Sequence, residues 1–128
     1  MGRIEKVVSG NNEVIIVDYS DCKEDQMVAL VTEVRKQVFA GDKQVCILSI
    51  FNDKSYATPK FMRQVEGETE NARHLVKKQA VTGLNDTKKM ILKGYNFLFQ
   101  KNIPAFNTKE EALEFLLDDS TTDSIDLR

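Results

Sequence analysis

Histidine occurs once, at His74, and the two cysteines, Cys22 and Cys46, lie far apart. A second histidine or a closely spaced cysteine pair is missing, so no imidazole–thiolate metal cluster is set up. No nucleophile–base motif accompanies His74, which reads as a surface or helix-end residue. Without a disulfide framework, the simplest compartment is a reducing cytoplasm. No G-x-G-x-x-G and no phosphate-loop pattern appears. No segment reaches the roughly 18 apolar residues that span a bilayer, so stable membrane insertion is not expected. Neither sign of charge dominates: the formal net charge is -2 over 128 residues. No global field therefore favours nucleic acid. Met1 to Lys6 has no apolar signal core, and Lys6 stands where a myristoylation pattern needs Ser or Thr, so neither export nor acylation is expected.

What is present is enough for one folded domain. The chain is 41% hydrophobic and 30% charged, which supplies a core and a wetted surface at single-domain size. Residues 45–51 form a near-continuous apolar run of strand length, which predicts a strand covered on both faces. Cys46 sits inside that run and reads as a small core residue. Turn residues follow, and then Thr58 and Pro59, which suit the cap and first position of a helix.

The rest of the chain alternates around this strand. Residues 3–8 and 13–19 are predicted strands joined by a short turn, hence antiparallel neighbours. Asp21 and Glu24 have capping-box spacing. Met27, Leu30, Val31, Val34 and Val38 then recur at helical spacing, and Gly41 is the expected stop. The helix from Pro59 carries Phe61, Met62, Val65 and Ala72 on one side. Gly67 weakens it by about 1 kcal/mol relative to alanine, and it is expected to fray near residues 71–74. Residues 79–84 are a fourth strand. Asn85, Asp86 and Thr87 open a third helix, with Met90, Ile91, Tyr95 and Leu98 expected to face inward. Ile103 to Phe106 is a brief edge strand, where Pro104 is tolerated. Thr108 to Glu111 is a capping box that opens a last helix bearing Ala112, Leu113, Leu116 and Leu117. Residues 118–128 are acidic and polar and are expected to be a flexible tail. Strands alternating with helices predict a mostly parallel sheet with one antiparallel edge.

In such sheets ligands bind at the carboxyl ends of the strands. Three loops are expected to converge there, carrying Asp18, Asp21, Asn52, Asp53, Ser55, Thr58, Asn85, Asp86 and Thr87. Each feeds a helix start, where free backbone N–H groups favour anions. The same residue types are also ordinary caps and turns. Asp18 and Asp53 meet the chemical requirement for an acid–base pair, but no other residue supports one. Basic residues gather at Arg73, Lys77 and Lys78 and at Lys88, Lys89 and Lys93. Lys88 and Lys89 stand in a first helical turn, where cations are unfavourable, which points to a nearby anion or acidic partner. A solvated face is the plainer reading.

The element order, residues 45–58, and the later Ala80 to Leu84, Lys88 to Leu92 and Ile103 to Ala112 resemble the SpoIIAA-like group of the STAS superfamily, the sulfate-transporter and anti-sigma-factor-antagonist domains. The resemblance covers about residues 3–117 and is a pattern of fold more than of chemistry. It implies an α/β fold, a mixed, mostly parallel five-stranded sheet of order ββαβαβαβα with four helices. It further implies a small bacterial cytosolic domain over residues 1–117 that is non-catalytic, needs no cofactor and acts through protein partners. In the phosphorylatable members, a Ser or Thr at the helix start after the central strand is the phosphoacceptor, a position that falls on Thr58 or Ser55. Here Pro59 follows Thr58, where that pattern has glycine. The alternative is a small-molecule binder, for a nucleotide or a lipid, using the same loops. Asp53, Thr82 and Lys101 imitate an aspartyl-phosphate receiver, but two adjacent opening strands and a missing acidic pair argue against one. The first strand, as a sheet edge, is open to homodimer pairing, with Arg3, Glu5 and Lys6 as its guard.

Overall fold

The computed structural model describes residues 3–10, 12–41, 43–55 and 58–118. The tail expected beyond Asp118 lies outside the described residues, as do Tyr56 and Ala57. The strands are β1 (Ile4–Ser9), β2 (Asn12–Asp18), β3 (Val45–Ile50), β4 (Val76–Thr82) and β5 (Ala105–Phe106). The helices are α1 (Glu24–Ala40), α2 (Pro59–Thr69), α3 (Asp86–Phe99) and α4 (Lys109–Leu117), with a 3-10 stretch at Glu70–Leu75.

The five strands lie side by side in chain order, β1 antiparallel to β2 and all other pairs parallel. Right-handed crossovers in that order put successive connecting helices on the same face. Helices α1 and α2 pack on Ile15, Val17, Val45 and Ile47. The alternate residues Val14, Ile16, Cys46, Leu48 and Ala80 turn to the other face, where Ala112 and Leu116 of α4 cover them. This is why the run 45–51 is continuous: its two side-chain rows each meet a helical layer. Cys46 is buried in the core as expected.

Three local expectations are revised. Helix α1 starts at Glu24 with Lys23 as its cap, not Asp21. The Gln26 side chain accepts the Lys23 N–H at 2.9 Å, forming one arm of a capping box three residues on. Asp21 adopts a left-handed turn with φ 61, held by Asn52. Strand β4 begins at Val76, three residues before the expected 79. Its early lysines hid it: Lys78 is buried and its Nζ reaches the Phe115 carbonyl at 2.8 Å at the end of α4. This adds a second donor to a carbonyl at the helix end, which also accepts the Asp118 N–H at 3.4 Å.

The third revision concerns α3. Tyr95 is buried as expected, but Met90 and Leu98 are 73% and 72% exposed, and Ile91 is 41% exposed. The inward row is instead Lys88, Leu92, Tyr95 and Phe99, spaced by four, three and four. The helix is apolar on two sides, and periodicity alone does not say which side meets the sheet.

Candidate functional site

The loops after β2 and β3 and before α3 meet at the carboxyl ends of the strands. Asn52 joins the first two: its Oδ1 accepts the Asp21 N–H at 3.0 Å and its Nδ2 donates to Asp21 Oδ1 at 2.9 Å. The Asn85 Nδ2 donates to Asp53 Oδ1 at 3.2 Å, joining the third. Asp18 stays local, its carboxylate accepting the Ser20 N–H at 2.9 Å. The Arg3 guanidinium bonds the carbonyls of Asp18 and Ser20 at 3.0 and 2.7 Å. Asp86 and Thr87 are exposed in the first turn of α3. Asn85 caps that turn by accepting the Lys88 N–H at 2.9 Å.

The two hydroxyls differ. Ser55 is fully buried, and its Oγ bonds the Asn52 backbone at 3.0 Å both as donor and as acceptor. Thr58 is half-buried at the α2 cap. It accepts the Phe61 N–H at 3.0 Å and donates to the Glu24 carboxylate on α1.

Lys88 explains its own awkward place. From the first turn of α3 its Nζ reaches back to the carbonyls of Asn52 and Ser55 at 2.8 and 2.5 Å. The positive charge near a helix N-terminus is answered by two carbonyl dipoles of the neighbouring loop. Farther along, the Tyr95 hydroxyl donates to Glu66 Oε1 on α2 at 2.8 Å. Burial first, and the Glu66 carboxylate second, push the Tyr95 phenol above its ordinary value. Asn96 closes the far end by pairing with the Ile103 backbone at 3.0 and 3.2 Å.

Between these polar attachments lies a cavity of about 110 Å³. Its floor is Ser49 and Phe51 with Gln79 and Val81, its wall is Phe61, Met62 and Val65 of α2, and its roof is Ile91, Leu92 and Tyr95 of α3. The sequence makes the void. On this face the β3 row runs Val45, Ile47, Ser49, so a small polar residue stands where another branched one would have filled the space. Gln79, beside Ile47 in the sheet, adds a second polar residue to the same floor from β4. No residue of α3 joins either buried core cluster. Tyr19 stacks on Phe51 at 5.1 Å and meets Phe61 edge-on at 5.6 Å, closing one end. Enclosure pushes the Tyr19 phenol upward as well.

Other candidates separate. Asp53 bonds at the start of α3 while Lys101 follows its end, and 14 helical residues span about 21 Å, so the receiver-like pair does not assemble. Cys22 is buried, and its thiol is pushed upward by burial first, against Arg3, with Asp18 and Asp21 adding to the rise; that disfavours a thiolate. His74 is exposed as expected. Among the described residues no helix is long and apolar enough to cross a membrane. Sequence reasoning placed the rim but missed the cavity and its latch residues, Tyr95 and Glu66. The one available signal was the ill-placed charge of Lys88.

These features define a SpoIIAA-like α/β fold, with one antiparallel edge, three crossover helices on one face and a fourth helix on the other. A crystal structure with that fold, an uncharacterised protein of the DUF3478 family from Shewanella loihica PV-4, is similar to this chain. It has 15% sequence identity and a TM-score of 0.55, over 88% of this chain and 91% of that one. At that identity the likeness concerns the fold. No protein-family model and no curated protein matches the chain.

Proposed function

We propose that this is a non-catalytic binding module that takes a small, mainly apolar molecule between the sheet, α2 and α3. The observation that carries this reading is the apolar cavity under a helix held mainly by polar latches. Apolar cavities of this order stay dry and accept small apolar guests. A larger guest, of the few hundred Å³ that ordinary ligands fill, needs α3 to swing outward. The Lys88 and Tyr95 latches break at lower cost than a packed apolar face. Polar atoms of Ser49, Gln79 and Tyr95 give one end of the guest a partner.

The test is a thermal-shift panel of benzene, medium-chain fatty acids and nucleotides. Apolar guests are expected to raise the melting temperature, by up to about 2.7 kcal/mol of added stability at a hundred times Kd. A Val65→Phe variant, which fills the space, should fold and lose the response. No shift with any apolar guest, or a shift that survives filling, defeats the reading.

A second reading is favoured by the rim itself. Its loops are bonded into one surface that exposes Asp21, Asp53 and Asp86, which suits a basic protein partner in a regulatory role. Thr58 is the reachable hydroxyl there. A phosphate on it would face the Glu24 carboxylate and break their bond, releasing α2 from α1. Hydrogen exchange at residues 58–62 of Thr58→Asp should rise against wild type; unchanged protection counts against the switch.

A further inference from the structure

We propose that a second copy of this chain covers the outer face of α3, the two helices crossing antiparallel with Gly94 at the two-fold axis. This does not depend on the cavity binding a ligand. The outer face shows Met90, Phe97 and Leu98 to solvent, with Phe97 83% exposed, and Ile91 at its edge is 41% exposed while its other side lines the cavity. Residues of this size in one cluster on a helix are unusual for a monomer surface. Their spacing is symmetric: they stand four and three residues before Gly94, and three and four after it. An antiparallel pair therefore sets Met90 of one copy against Leu98 of the other, and Ile91 against Phe97. That is the self-complementarity a two-fold interface requires.

Gly94 is the independent observation. It sits in the middle of α3, where glycine is the poorest helix former after proline. Among the described residues nothing demands it: a Cβ built there meets no atom of another segment within 4 Å. A missing side chain at the centre of an exposed apolar stripe lets two helix axes approach closely. The charges agree with the antiparallel sense. Asp86 opens α3 and Lys101 follows it, eight residues before and seven after Gly94. The two-fold sets the N-terminal end of each α3, opened by Asp86, beside the C-terminal end of the other, so the helix dipoles run head to tail, whereas a parallel pair would set like ends together. The β1 edge is the weaker route to a dimer, because Lys6 bonds Glu13 at 3.3 Å and Glu5 bonds Lys109 at 3.4 Å there. Such charges guard an edge. One helix pair buries less than the roughly 1,200 Å² of a standard interface, so the dimer is expected to be weak and concentration-dependent.

The experiment is sedimentation equilibrium from micromolar to submillimolar protein, with Phe97→Glu and Gly94→Gln beside wild type. Wild type should show a monomer–dimer equilibrium, and both variants should weaken it by about tenfold or more. Gly94→Gln should at the same time raise the melting temperature of the dilute protein, since it improves the helix. That opposite pair of signs is not what general damage produces. A Gly94→Cys variant, oxidised at concentrations where wild type dimerises, should cross-link to itself. A wild type that stays monomeric throughout overturns the proposal, as does a dimer unmoved by both variants. A monomer that instead sediments with vesicles containing phosphatidylglycerol overturns it in favour of a lipid surface, for which Lys89 and Lys93 would be the cationic contacts.

Discussion

Helix α1 turns Met27, Val31, Val34 and Val38 into a core shared with Ile15, Val17 and Ile47, whereas α3 contributes no residue to either core and is held by Lys88, Tyr95 and Asn96. Both are crossover helices of the same sheet. Their difference follows from what the strands offer beneath them. Under α1 the sheet presents Ile15, Val17, Val45 and Ile47, and toward α3 the apolar Phe51 and Val81 are interrupted by Ser49 and Gln79. Apolar packing is short-ranged and collective, so it fixes α1 in one place. Hydrogen bonds exchange with water at little net cost, so a helix held by them opens more readily. One sheet face thus carries a helix packed into the core at one end and a helix tied down by hydrogen bonds at the other.

The sharpest way to break both regions is Gly83→Ala. Gly83 has φ 84, and a Cβ there would lie 1.7 Å from the Phe51 carbonyl oxygen. The strained conformation and the collision should together cost about 4 kcal/mol or prevent folding; a urea midpoint near that of wild type would refute the close approach. Next is Met27→Ala in α1, where Met27 is wholly buried. A loss of about 3 kcal/mol is expected by denaturant unfolding. Its counterpart in α3 is Lys88→Met, which keeps the stem and removes the two carbonyl bonds. A loss of about 1–2 kcal/mol is expected, with faster hydrogen exchange confined to α3 and residues 52–55; global loosening would contradict the latch.

Tyr95→Phe tests the other latch, with an expected loss of about 1 kcal/mol. It also carries a pH signature. The folded phenol is raised above its ordinary value, so its contribution is fully present below pH about 10 and is lost as pH rises further, where the unfolded chain ionises first. Wild type should therefore lose stability at alkaline pH, and Tyr95→Phe should lose less of it; identical alkaline limbs would remove the argument. The smallest effect belongs to the outer face of α3. Met90→Ser in dilute protein should change stability by no more than about 0.5 kcal/mol, and a larger loss would mean that Met90 is covered within the monomer.

Much of this architecture was readable from residue patterns. The run 45–51, the Thr58–Pro59 helix start and the Thr108 cap each combine a local signal with a local cause, although the Glu111 carboxylate accepts the Asn107 N–H at 3.3 Å and not that of Thr108, so only one arm of the expected box forms. The site was legible only as a rim. Convergence of the three loops follows from strand order, and the bonds of Asn52 to Asp21 and of Asn85 to Asp53 realise it. The facing of α3 was not legible, because apolar residues occupy two of its sides and both fit a helical period. The early part of β4 was not legible either, since Lys77 and Lys78 read as surface. Only a helix end brought close in space gives Lys78 a reason to be buried.

What the amino-acid order determined by itself is the sequence of strands and helices, the buried middle strand and the caps, because those depend on spacing and on groups a few residues apart. What only the tertiary structure decided is which side of α3 meets the sheet, where Lys88 and Lys78 find their carbonyls, and that Ser49 and Gln79 leave a void. Each of these depends on groups tens of residues apart in the chain, whose meeting is fixed by how whole layers pack and not by any local preference.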